Sequence, residues 1–181
     1  MVLCCAIGLL AGLSARPDAY AHRSLSEGGG DCSQFQFDVP ADLAGAMANP
    51  ARTVVTLRER TVTDIVSPSK QALTVVLHRA GHVHGTAGSM SAKSEGMLSG
   101  AHAGLLSVAV PQDGAYRVSV AAPLWIKVFE GQTRVHSQTF EIQMGCDRTF
   151  KSFTYRLRAG MTYWVELSSD QREIILAITP E

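Results

Sequence analysis

The chain has 181 residues, with 16 Lys plus Arg set against 16 Asp plus Glu and a formal net charge of zero. That length suits one ordinary domain with a single core. The even balance leaves no basic surplus to hold nucleic acid or an anionic membrane surface.

Residues 2–14 (VLCCAIGLLAGLS) are almost wholly apolar. A membrane-spanning helix needs roughly 20 such residues, so this run is too short to span. Ala19-Tyr20-Ala21 then offers a small-x-small cleavage site. Residues 1–21 therefore read as a signal peptide, and the mature chain from His22 is expected in the periplasm or secreted. Cleavage removes Cys4 and Cys5 and leaves Cys32 and Cys146. Two cysteines in an oxidising compartment predict one disulfide. Closing so long a loop contributes about 4–5 kcal/mol in the chain-entropy model. Residues 22–31, with Gly28-Gly29-Gly30, form a flexible lead-in to a single domain over 32–181.

Cys32–Val39 alternates, with Phe35, Phe37 and Val39 on one face, and reads as a strand. Pro40-Ala41-Asp42 starts a short helix through Met47, which Asn49-Pro50 ends. Val54–Leu57 and Ala72–His78 are expected strands, the second rich in β-branched residues. His82–His84 reads as a brief extended continuation. Residues 85–100 show little periodicity and are expected to form a long loop. Strands follow at Leu105–Val110, Ala115–Val120, Leu124–Phe129, Thr133–Phe140 and Thr149–Leu157. Pro111-Gln112-Asp113-Gly114, Gly131-Gln132 and Ala159-Gly160 supply turns between them. Met161–Leu167 and Glu173–Ile178 are expected to close the domain as a hairpin around 168–171. Short strands separated by Gly, Pro and Asp turns predict an all-β, antiparallel two-sheet sandwich, jelly-roll-like, with one short helix near the N-terminus.

Several segments carry a resemblance. They are Cys32-x-x-Phe35-x-Phe37-Asp38-Val39, Gly114-Ala115-Tyr116-Arg117-Val118, Trp125-Ile126-Lys127-Val128, Cys146 followed by Lys151, Tyr155-Arg156-Leu157-Arg158-Ala159-Gly160, and the Leu167-Ser168-Ser169 corner. Together they resemble a family of small, uncharacterised exported β-sandwich proteins of Gram-negative bacteria. The resemblance implies a sandwich and brings no catalytic residues with it. Where that family usually has an acidic residue after Trp-Ile, this chain has Lys127. A site built on that carboxylate would be lost here.

Three chemistries are open to this sequence. His78, His82 and His84 have the spacing H-x-x-x-H-x-H. Extended backbone would put His82 and His84 on one face, with His78 reaching from the preceding strand. Imidazoles in that arrangement suit Cu or Zn. Cleavage after Ala21 would add His22, whose free amine and ring chelate copper. The alternative is that these are surface histidines beside a loop, with no cofactor. Nucleophilic catalysis has no handle, because no G-x-S-x-G elbow occurs and the mature cysteines are expected to pair. Trp125, Phe129 and Trp164 lie opposite the aliphatic face of their strands. They either form a surface that stacks on a glycan or anchors a partner, or they are buried beneath other elements such as the helix. The expected function is a non-catalytic binding or interaction protein of the periplasm or cell envelope, whose partner is an envelope glycan or protein. The alternative is a periplasmic Cu/Zn-binding protein.

Overall fold

The computed structural model describes residues 41–60, 65–84, 101–142 and 151–181. The expected signal peptide, the lead-in with His22, the first expected strand and both Cys32 and Cys146 lie outside the described residues.

Helix α1 (Ala41–Ala48) matches the expected helix. The Asn49 amide closes it by donating to the Gly45 and Ala46 carbonyls. One sheet contains β1 (Arg52–Val55), β3 (Ala72–Val76), β6 (Gly114–Val120), β9 (Thr139–Ile142), β10 (Lys151–Leu157) and β12 (Glu173–Pro180), in the order β1-β3-β12-β6-β10-β9. We call it the helix-side sheet. The second contains β2 (Ile65–Val66), β5 (His102–Ala109), β11 (Thr162–Ser169), β7 (Leu124–Glu130) and β8 (Thr133–Val135), in the order β2-β5-β11-β7-β8, with β4 (His78–Arg79) also paired to β5. The chain is an all-β two-sheet sandwich.

Alternation along the strands decides which side chains meet between the sheets. Val118 and Val120 of β6, Ile174, Leu176 and Ile178 of β12, Leu106 and Val108 of β5, and Val165 and Leu167 of β11 all join one buried cluster. Removing a side chain such as Leu167, which is wholly buried, would cost about 2–5 kcal/mol. Helix α1 packs Leu43 and Met47 on Ala72 and Ala177, the outer face of the helix-side sheet. It is therefore not what covers Trp125, Phe129 or Trp164, which lie on the other sheet.

Four expectations change. The sandwich is not wholly antiparallel, because β1 pairs β3 in parallel and β2 pairs β5 in parallel. A parallel pair requires a long connection, and β1 and β3 stand far enough apart in sequence to supply one. The expected strand over Thr133–Phe140 is two strands, because residues 136–138 carry the chain from one sheet to the other. The last two strands are not a hairpin, since β11 lies in the second sheet and β12 in the helix-side sheet. Finally, 82–84 is not extended from its start. Ala80–His82 forms a 3-10 turn, closed by the Val83 amide on the Ala80 carbonyl.

At one end of the sandwich two neighbouring segments leave the helix-side sheet together. After β1, Leu57 exchanges backbone hydrogen bonds with Leu105 of β5. After β3, β4 pairs with Ala103 and His102 of β5. Thr56 stands at the first crossing and is buried. Its amide and hydroxyl both donate to the Val76 carbonyl, at 3.0 and 2.9 Å. Gly104 permits this approach, because a Cβ there would lie 2.0 Å from the Thr56 hydroxyl.

Candidate functional site

The two crossings build a pocket of about 380 Å³, lined by Arg58, Leu77, His78, Arg79, His82, His102 and Arg172. Its lining comes from the segment after β1, the end of β3, β4, the 3-10 turn, the start of β5 and the connection from β11 to β12. Leu77 is buried and supplies the apolar part. Its amide donates to the Arg172 carbonyl at 2.8 Å, which ties the last connection to the crossing. No Asp or Glu side chain lines the pocket among the described residues. A chain with no net charge thus gathers three guanidinium groups at one place.

Two of the histidines there, His78 and His102, are held by the backbone. His78 Nε2 donates to the Thr56 carbonyl at 2.6 Å, and its Nδ1 accepts from Arg58 Nε at 3.4 Å. Both ring nitrogens are engaged, and His78 positions Arg58. His102 Nδ1 donates to the Asp170 carbonyl at 3.3 Å, while the Asp170 carboxylate accepts from the Ala101 amide at 3.2 Å. His82 lines the pocket from the 3-10 turn. His84 is exposed, and its amide donates to the Arg58 carbonyl.

The structure brings His78 and His82 together, as the metal reading required, but not with His84. Val83, between His82 and His84, is extended, but the turn at 80–82 carries His82 into the pocket lining and His84 is not part of that lining. No group of three His, Cys, Asp or Glu side chains suited to a metal ion occurs among the described residues. The company that His78 and His82 keep is also wrong for a cation. Even in a water-like dielectric, a dication about 6 Å from one guanidinium is opposed by about 1 kcal/mol, and here the repulsion is repeated by three arginines.

The aromatic candidates separate into two kinds. Trp164 and Phe129 are directly opposed across β11 and β7, and only 7% and 9% exposed. They pack with Val83, Ala103 and Leu105 as a second apolar cluster on the outer face of the second sheet. Arg60 lies over them, its guanidinium carbon 5.1 Å from the Phe129 ring and 5.6 Å from the Trp164 ring. It also donates to the Gly131 carbonyl and pairs with Glu166 at 3.5 Å. Burial lowers the Arg60 pKa, and the Glu166 charge opposes that shift. These two aromatics are structural. Trp125 is 45% exposed. Lys151 Nζ sits 4.9 Å from its ring centroid and donates to the Leu124 carbonyl, so a cation occupies one face of the indole.

A smaller hollow of about 190 Å³ lies at the 136–138 crossover, lined in part by Arg134, His136, Ser137 and Tyr155. Burial raises the Tyr155 phenol pKa well above the tyrosine range, with Arg134 acting weakly the other way.

Metal-ligand spacing in the sequence does not single out Arg58, Arg79, Arg172 or His102. A signal was available, since each stands at or just beyond a strand end, including the dipeptide His78-Arg79. Basic residues at strand ends converge only if those ends lie on the same side of the sandwich, which local pattern does not reveal.

The chain matches no protein-family model and no curated protein. Among solved structures it is similar to a β-glucosidase from Kluyveromyces marxianus in complex with glucose, at 13% identity and a TM-score of 0.30, covering 44% of this chain. The chain spans about 10% of that enzyme's length.

Proposed function

We propose that the protein is a non-catalytic binding module exported to the periplasm or cell envelope, and that it recognises an anionic envelope component through the basic pocket. One observation carries this reading. Arg58, Arg79 and Arg172 come from three separate parts of the chain and line one pocket with no carboxylate lining it among the described residues. An arginine cluster without acidic partners is expensive in self-repulsion and is stabilised by an anion. The lining consists of cationic and imidazole side chains around one leucine, which bind and orient a ligand. Export rests on the apolar run and small-x-small site at the N-terminus.

The test is equilibrium binding of the purified mature protein to peptidoglycan, to phosphorylated envelope glycan and to an uncharged polysaccharide, at low and moderate salt. Salt-sensitive retention on a charged component, lost in Arg79→Gln/Arg172→Gln, is the expected result. Equal retention of that variant would remove the pocket from the reading, and turnover of any component would remove the non-catalytic assignment. Saturable Cu(II) or Zn(II) binding abolished by His82→Ala/His84→Ala would replace the reading with metal handling.

A further inference from the structure

Resting on the anion-binding reading just given, we infer that the group this pocket holds is a phosphoryl group, borne by a small phosphate monoester or present as free phosphate. The argument begins with the number of forks. One guanidinium satisfies both oxygens of a carboxylate in a bidentate pair. Three arginines around one carboxylate would leave two of them without an acceptor. A tetrahedral dianion presents oxygens in several directions and carries close to two charges near neutral pH. It therefore engages Arg58, Arg79 and Arg172 at once, with the Arg58 Nη groups and the planar forks of Arg79 and Arg172 as donors.

The second argument is placement. Arg58 does not sweep freely, because His78 Nδ1 accepts from its Nε. His78 is itself fixed on the Thr56 carbonyl at the sheet crossing. Arg172 follows the β11 end and is tied through its carbonyl to the Leu77 amide. These guanidinium groups start from anchored backbone, which lowers the ordering cost of closing on one ligand.

The third is size. A pocket of about 380 Å³ exceeds what a bare oxyanion fills, and the buried Leu77 gives it an apolar part. Sites for small organic ligands begin at about 300 Å³ and combine an apolar wall with a few convergent polar groups. The space beyond the phosphoryl group suits the carbon skeleton of an ester.

Calorimetric titration of the mature protein with inorganic phosphate, glycerol 1-phosphate and sodium acetate tests the inference. The expected order is glycerol 1-phosphate, then phosphate, then acetate, with at least tenfold between phosphate and acetate and clear weakening as salt rises. Phosphate binding more tightly than the ester supports the phosphoryl site and assigns the free ion as its occupant. Arg79→Gln and Arg172→Gln should each lose tenfold or more in affinity for the phosphoryl probe, with an unchanged melting temperature. Arg156→Gln, an exposed arginine on β10 of the helix-side sheet, should lose none. Acetate binding as tightly as phosphate overturns the phosphoryl inference but leaves the anion site standing. Absence of salt-sensitive binding by all three probes overturns both. An Arg156→Gln loss as large as that of Arg79→Gln also overturns the inference, because it reduces binding to bulk charge.

Discussion

Two groups of arginines on this molecule show opposite solutions to the same problem. Arg60 is covered, flanked by the Phe129 and Trp164 rings, and paired with a carboxylate that is 2% exposed. Arg58, Arg79 and Arg172 line one pocket with imidazoles and a leucine, and with no acid among the described residues. In the first arrangement the fold itself supplies the opposite charge. The second has no acid in its lining among the described residues, which is why we propose an anionic partner for it. Residue type alone separates nothing here, for Arg58 and Arg60 are two positions apart. What separates them, among the described residues, is the carboxylate of Glu166 beside Arg60.

The largest effect should come from breaking the completed pair. Glu166→Ala leaves the Arg60 charge beside two aromatic rings, and loss of one partner of a buried pair typically costs about 3–5 kcal/mol. Thermal or urea unfolding should show a strongly destabilised protein. Affinity of the folded fraction for glycerol 1-phosphate should be unchanged; a parallel loss of affinity would merge the two regions into one.

Gly104→Ala comes next. The added methyl meets Thr56 at the crossing that holds His78. Overpacking of this kind costs about 1–3 kcal/mol. Unlike Glu166→Ala, it should also weaken ligand binding, because Arg58 follows Thr56 into the pocket. Stability lost with affinity retained would show that the crossing does not position the site.

Arg79→Ala and Arg172→Ala should invert the pattern. Both residues are exposed, so unfolding free energy should stay within about 0.5 kcal/mol of the parent. A small gain is expected at low salt, where like charges repel most. Destabilisation beyond 1 kcal/mol, read by urea titration, would make these arginines structural, like Arg60.

The smallest effect concerns the other hollow. Burial holds the Tyr155 phenol in its neutral form, so its folded pKa lies above its unfolded value near 10. Such a group contributes stability that is fully present below pH 10 and lost as pH rises beyond it. The parent should lose more stability between pH 9.5 and 11 than Tyr155→Phe does. Identical alkaline slopes would show that Arg134 compensates for burial.

Much of the sandwich is legible in residue alternation. Val118 and Val120, or Val165 and Leu167, announce a buried face at period two, and Pro40 and Asn49 bracket the helix. Alternation within one strand is silent about which sheet the strand joins. It therefore reads Thr133–Phe140 as one strand and β11 with β12 as a hairpin, where the chain instead changes sheets. Leu57 and Leu77 continue apolar runs and look like ordinary strand ends, yet both mark crossings. The candidate site suffers from the same blindness. His78 and His82 were visible as a group because they are close in sequence. Arg58 and Arg172 were not, since only the crossings bring them beside those histidines. Trp125, Phe129 and Trp164 looked alike by position, and what divides them is a covering residue, Arg60, from a segment with no periodic signal.

The outer edge of β5 has a kinetic consequence. Among the described residues no single strand pairs it. Three scraps do so in turn, namely β4 at its start, Leu57 in the middle and β2 near its end. Each is brought in from a different part of the chain, so each must close its own loop before it gains a hydrogen bond. The β11 and β7 ladders on the other side form a long continuous register by comparison. Folding should therefore lay down β5, β11 and β7 first and stitch this seam last, and the same seam should be the first to open. The basic pocket lies along that seam, so an occupant that draws Arg58, Arg79 and Arg172 together would act as its fastener, slowing the opening of a whole edge from a single point.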